Sequence, residues 1–148
     1  CFLDMTGMER VYPDLIATAH EIKDMIKREL GFTVNVGVGN NKFLAKMASD
    51  FEKPDKVHTL FSNEIEQKMW GLPVSELFGV GKATAEKLRR HYIMTIGELA
   101  NSDLDYIRRI IGSKLQQLND YFRGRDFDVC GKGDSPCTDR FDFGKNAP

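Results

Sequence analysis

Apolar residues recur at three- and four-residue spacing through Leu15, Ile16, Ala19, Ile22, Met25, Ile26 and Leu30. That spacing places them on one face of a helix. It predicts a helix over 12–30, with Pro13 in the first turn, where a missing N–H is harmless, and Gly31 ending it. Ahead of it, Cys1–Thr6 alternates as a half-buried strand does: Phe2, Asp4 and Thr6 on one side, Leu3 and Met5 on the other. A chain that opens inside a strand reads as a fragment of a longer one. Phe32, Val34, Val36 and Val38 alternate with Thr33, Asn35 and Gly37, which predicts a second strand over 32–38. Asn40-Asn41 then starts a helix over 42–51, with Phe43, Leu44, Met47 and Ala48 as its apolar stripe. Lys53-Pro54-Asp55 is a turn, and Val57 to Leu60 a short strand. Strands and helices in alternation imply helices packed on a sheet.

The pattern changes near residue 62. Ser62 or Asn63 can cap a helix running to Trp70, and short helices are expected over 73–77, 82–91, 95–100, 103–110 and 114–122. Gly71, Gly79, Gly81, Gly97 and Gly112 separate them. From Asp126 no periodicity survives. The chain thus divides into an α/β layer (1–61), a helical domain (62–125) and a linker or tail (126–148).

Composition narrows the class. The 148 residues are 41% hydrophobic and 29% charged, as in ordinary soluble globular proteins. No apolar run is long enough for a membrane span, and the first residues have neither the length nor the basic flank of a signal peptide. Three cysteines, Cys1, Cys130 and Cys137, are an odd and widely spaced set, so a reducing, cytoplasmic setting is expected. His20, His58 and His91 show no zinc spacing, and no metal site is expected. Trp70 reads as a core anchor. The net charge of −1 gives no overall sign of a polyanion partner. Residues 71–125, however, carry nine Lys and Arg against six Asp and Glu, and that is where a polyanion would dock.

The strongest local signal is Leu77-Phe78-Gly79-Val80-Gly81-Lys82-Ala83-Thr84-Ala85-Glu86-Lys87-Leu88. Two glycines one residue apart turn the chain tightly between helices and leave backbone N–H groups open at a helix N-terminus. A phosphate can bind there, and Lys82 adds a formal charge. This is the form of a helix-hairpin-helix. A plain turn with glycine for geometry is the competing reading. The second signal runs from Val34 through Gly39-Asn40-Asn41-Lys42 to Asp50, followed by Lys53-Pro54. A strand entering a Gly-Asn-Asn turn and a lysine-bearing helix is similar to a phosphate-binding corner, although Walker spacing is absent. On spacing alone, Lys42 and Lys46 fit a solvated edge equally well.

The two signals in this order resemble the Y-family, the DinB/UmuC-type translesion DNA polymerases. The family's Asn-Lys-x-x-Ala-Lys-x-Ala-Ser-Asp helix is matched by Asn41, Lys42, Ala45, Lys46, Ala48, Ser49 and Asp50, and its Lys-Pro pair by Lys53-Pro54. Its thumb hairpin is matched by Leu72-Pro73-Val74, Leu77 and Gly79-Val80-Gly81. Phe2 to Thr6 resembles the strand following the family's catalytic Asp-Glu pair. The resemblance covers residues 1–125. It implies an α+β fold: a partial α/β palm layer followed by a small all-helical thumb with a helix-hairpin-helix motif.

The resemblance also implies a function: a DNA-directed DNA polymerase of lesion bypass, repair and the SOS response, acting on primer–template DNA and dNTP with Mg²⁺ in the intact enzyme. A sliding clamp would engage regions outside this chain. Lys53 would contact the incoming nucleotide's triphosphate. Gly79, Val80, Gly81, Lys82 and Lys87 would contact DNA. The carbonyls of Ser75 and Val80 would hold an ion bridging to it. The family's three metal-binding carboxylates have no counterpart in these residues, so no catalytic residue is assigned, and Asp4 is a neighbour of that site rather than a ligand. The chain alone is expected to be inactive, and its open sheet edge would let a second copy pair. A non-catalytic helix-hairpin-helix DNA-binding module is the alternative from a different class.

Overall fold

The computed structural model describes residues 1–112. The expected helix over 114–122, the tail over 126–148, and Cys130 and Cys137 lie outside them. The chain starts without regular structure. Asp4 Oδ1 accepts the Thr6 N–H at 3.0 Å, and Met8 N–H bonds to Met5 O at 3.1 Å. These local bonds compete with a ladder, and the expected strand Cys1–Thr6 is not formed. The sheet edge expected to pair with a second copy is therefore absent at that place.

Helix α1 spans Leu15–Leu30. It begins later than its periodicity predicts because Asp14 caps it, accepting from the N–H groups of Ile16 and Ala17 at 2.9 Å each. Pro13 thus lies ahead of the helix. Gly31 ends it at φ 74, a left-handed geometry that glycine adopts without strain. The apolar stripe is only half used. Ala19 is buried and Ile22 and Ile26 half-buried, while Leu15, Ile16, Met25 and Leu30 are exposed. Lys23 is buried instead: its stem lies against the protein and its Nζ meets Asp24 at 2.7 Å and Asp55 at 3.2 Å.

Strands β1 (Val36–Gly39) and β2 (Val57–Leu60) pair in parallel, Val36 opposite Val57 and Gly39 opposite Leu60. Between them runs α2 (Lys42–Asp50), capped by Asn41, whose side chain accepts the Leu44 N–H at 2.8 Å. The predicted strand over 32–38 shortens to β1 because only that stretch finds a partner. Asn35, just before it, bonds instead through its side chain to Ser49 O at 3.2 Å, Glu52 O at 2.9 Å and the Lys56 N–H at 3.1 Å. The first of these occupies a carbonyl that the C-terminus of α2 leaves open.

The remaining elements are helical: a 3₁₀ turn at Ser62–Glu64, α3 (Ile65–Lys68), a second 3₁₀ turn at Val74–Glu76, α4 (Lys82–Arg90), α5 (Ile96–Asn101) and α6 (Leu104–Ile111). The entry to α3 differs from expectation. Glu64 reaches back to the Phe61 N–H at 2.9 Å, so Glu64 closes the turn rather than a Ser62 or Asn63 cap. Trp70 packs on the core as expected; a Cβ added to Gly97 would lie 2.9 Å from its Cβ. One apolar cluster is continuous from Phe43, Leu44, Met47 and Ala48 of α2, through Leu60, Met69, Val74 and Leu77, to Leu88, Ile96 and Ile107. The layer and the helices share it.

α2 crosses β1 at glycine distance. A Cβ on Gly37 would overlap Ala45 O and come within 2.5 Å of Ser49 N, both backbone atoms of α2. Gly37→Ala is expected to lower stability by about 2 kcal/mol or more through overpacking. Gly71→Ala, which meets nothing within 4 Å, serves as the near-neutral control. Urea midpoints of the two variants check this.

Candidate nucleic-acid and nucleotide-phosphate sites

The hairpin before α4 is built from a buried anchor, a turn and an open helix end. Leu77 and Val80 are buried, and the Val80 N–H bonds to Leu77 O at 2.9 Å. Gly79 holds φ 90 inside that turn, the third position at which a type II turn demands positive φ. Phe78, between them, is 51% exposed, and its N–H points back to Met47 Sδ at 3.3 Å. The turn is thereby tied to α2.

Gly81 is the N-cap of α4 and supplies no side-chain cap. The other long helices differ: Asp14, Asn41, Thr95 and Asp103 each accept an N–H at the start of α1, α2, α5 and α6. In α4 the ladder begins with Ala85 N–H to Gly81 O at 3.0 Å, so the N–H groups of Lys82, Ala83 and Thr84 precede it. A Cβ on Gly79 or Gly81 would meet nothing within 4 Å. The helix end opens outward, with exposed Lys82 beside it. Free N–H donors, the positive end of the helix dipole and a cation converge where an oxyanion can approach.

The other expected thumb residues separate. Ser75 is exposed, and its hydroxyl accepts from Arg89 Nη2 at 3.3 Å. Neither its carbonyl nor that of Val80 accepts a turn or cap hydrogen bond among the described residues. Lys87 is not at the hairpin. It lines a cavity of about 350 Å³ further along α4, with Arg90, His91, Tyr106, Arg109 and Ile110.

Lys53 stands on the loop after α2. Its Nζ meets Asp50 Oδ1 at 2.7 Å, while Lys46 Nζ meets Oδ2 of the same carboxylate at 2.8 Å. Two cations on one carboxylate leave a net positive charge. Partial burial works to raise the Asp50 pKa, and the hydrogen bonds from Lys46 and Lys53 outweigh it, so the carboxyl lies below its ordinary value. An open cavity of about 340 Å³ lies over the group, lined by Thr33, Asn35, Lys46, Ser49, Asp50, Lys53 and Pro54. The loop is held on its far side by Asp55 at φ 62, bonded to Lys27 at 2.6 Å and Lys23 at 3.2 Å. Those two hydrogen bonds, Lys27's the stronger, hold the Asp55 carboxyl below its usual range. Sequence reasoning missed Asn35 and Asp55 as supports of this loop. Their bonds are long-range, and no local pattern marks them.

Asp4 is fully exposed. Its carboxyl is held down chiefly by the Thr6 N–H, with Lys42 a minor cause. Among the described residues no three His, Cys, Asp or Glu side chains converge on a metal position. The described side chains thus assemble no carboxylate-held metal centre, and no step is routed through one here.

An α/β layer joined to a helical unit with a Gly-x-Gly hairpin is the arrangement of a helix-hairpin-helix protein. The impB/mucB/samB family matches residues 1–50, and the IMS family HHH motif matches residues 62–91. DNA polymerase IV of Clostridium acetobutylicum is 48% identical over 130 residues, covering 85% of this chain and 32% of that protein. DNA polymerase IV 1 of Bacillus subtilis is 42% identical over 109 residues, covering 74% and 26%. The crystal structure of DinB from Sulfolobus solfataricus superposes with a TM-score of 0.72 at 26% identity, covering 83% of this chain and 37% of that one. The insertion ternary complex of Dbh DNA polymerase gives 0.74 at 26% identity, with 85% and 37% covered. The chain belongs to the Y-family, DinB-type group of DNA polymerases, and it spans about a third of the length of the curated relatives it matches.

Two outcomes follow from the geometry. Gly79→Ala should lower stability by about 1 kcal/mol because of its positive φ, whereas Gly81→Ala, at φ −78, should leave it unchanged; thermal melts check both. The Asp50 carboxyl is lowered on folding, so its contribution is present above the unfolded pKa and lost as pH falls through the folded one. The urea-midpoint gap between the parent and Asp50→Asn should be widest near pH 6 and close below about pH 4. It should stay within about 1 kcal/mol, because the carboxylate is 36% exposed and screened.

Proposed function

We propose that the protein is a DNA-directed DNA polymerase of the lesion-bypass class, and that these residues supply its phosphate contacts. The observation that carries this is the open, uncapped start of α4 behind the Gly79 turn. The backbone N–H groups of the hairpin, with Lys82, grip the primer–template backbone. They meet phosphate rather than base edges, so the grip is indifferent to sequence. The Ser75 and Val80 carbonyls hold an ion bridging to that strand.

Lys53 receives the triphosphate of an incoming dNTP. In the free protein Asp50 holds both Lys53 and Lys46 near their working positions. A triphosphate carries more charge than Asp50 and draws Lys53 across, neutralising charge that grows during transfer. The carboxylates and Mg²⁺ of the intact enzyme, and any sliding clamp, act through residues other than those described. A cytoplasmic setting and an SOS role belong to the same reading. The boundary of the two parts lies at 61/62.

Fluorescence anisotropy with a labelled primer–template tests this. Weak binding, independent of sequence, should fall with salt at a slope of about two to four ions. Gly81→Ala should weaken it several-fold without changing stability, and Lys82→Ala more mildly. Binding by Gly81→Ala equal to the parent would reduce the hairpin to a structural turn. The 148-residue chain should extend no primer in a Mg²⁺ assay, because two-metal transfer needs converging carboxylates.

A further inference from the structure

The cavity between α4 and α6 lies beyond the hairpin turn, and of its lining only Lys87 is among the expected DNA contacts. It is lined by Lys87, Arg90, His91, Tyr106, Arg109 and Ile110, with no carboxylate in the lining. None of Lys87, Arg90 or Arg109 has an ion pair among the described residues. Arg108, next to Arg109, is by contrast occupied by Asp105 at 2.9 Å. His91 and Tyr106, also in the lining, meet Nδ1 to hydroxyl at 3.0 Å with their rings edge to face. The tyrosine contact restrains the imidazole. Like charges gathered without a counter-ion repel one another, and an anion placed among them relieves that repulsion.

The position along α4 is informative. Ala83, Lys87 and Arg90 stand at four- and three-residue intervals, on one strip of the helix, and all three are exposed. The strip runs from the open N-terminal turn to the cavity, roughly 10 Å from Ala83 to Arg90 at the rise of an α-helix. A backbone strand seated on the hairpin and following the strip would bring a later phosphate into the cavity.

We propose that this groove is a second phosphodiester contact on the same nucleic-acid strand that the hairpin holds, with Arg90 and Arg109 clamping the phosphate and Lys87 joining the two contacts. The proposal rests on the DNA-binding reading and extends it from the Gly-x-Gly turn to the far end of α4 and to α6, whose Tyr106 and Arg109 lie beyond the residues that the motif matches. The ordinary alternative is that these cations only complement the C-terminal dipoles of α4 and α6. That role would appear in thermal stability and not in the salt dependence of binding.

Anisotropy of the full chain with a labelled duplex at about 50 and about 200 mM salt separates the readings. Each lost phosphate contact lowers the salt slope by about 0.9, so the affinity drop between those salts should shrink three- to fourfold in Arg90→Gln and in Arg109→Gln. Arg109→Lys, which keeps the charge, should retain the parental slope, and all three should melt with the parent. Suppose the parent binds, Gly81→Ala weakens it, and both glutamine variants keep the parental slope. Then the groove proposal is overturned and the hairpin reading survives. Loss of slope in the glutamine variants with no effect of Gly81→Ala would support the groove and sink the hairpin. A parent chain that binds no duplex at all would overturn both.

Discussion

The close approach of α2 to β1 is the constraint on which the rest depends. Gly37 and Gly39 carry no side chain where the helix backbone passes, and a Cβ on Gly39 would sit 2.8 Å from both Ala45 N and Leu60 O. The helix can therefore lie flat against the sheet. Its apolar residues Phe43, Leu44, Met47 and Ala48 join Leu60 of β2 in the cluster that continues into the helical part. Met47 is the joint: it is buried at 2% exposure, and its sulfur receives the Phe78 N–H of the hairpin turn. The same helix carries Lys46 and Asp50 on its other side. One packing decision thus places the lysine pair and orients the hairpin.

Much of this was legible because it is local. The helix over 42–51 and the strand Val57–Leu60 were set by period and by a cap or turn at each end, and they appear nearly as expected. The Gly-x-Gly hairpin was legible for the same reason, since the geometry it demands lies within a few residues. The first strand was not. Alternation shows that a segment can lie half-buried, but a strand exists only with a partner, and at Asp4–Thr6 a side-chain bond took the N–H first. The α1 stripe misled in a similar way. Period defines a face, but it does not say whether that face meets anything.

The supports of the lysine loop were hidden for a further reason. Asn35 and Asp55 act across 14 and 32 residues of chain, and neither type of residue advertises such bonds. Lys23 lies at 8% exposure with Asp55 receiving its charge, and no local pattern marks that pairing either. The cations near the two sites also differ in availability. Lys46 and Lys53 share a carboxylate, while those between α4 and α6 face one another across open space.

The missing cap on α4 also bears on how the helix behaves before anything binds. A side-chain cap is worth about 1 kcal/mol to a helix start, and α4 goes without one. On that ground its first turn is expected to fray more readily than those of α1, α2, α5 or α6, and an anion site there would be formed for only part of the time. Apparent affinity is reduced by that fraction. An oxyanion seated there acts as the absent cap, binds only the intact turn, and shifts the population toward it. A helix end left open in this way would be finished by such a ligand, and the order of the hairpin would then report whether a strand is in place.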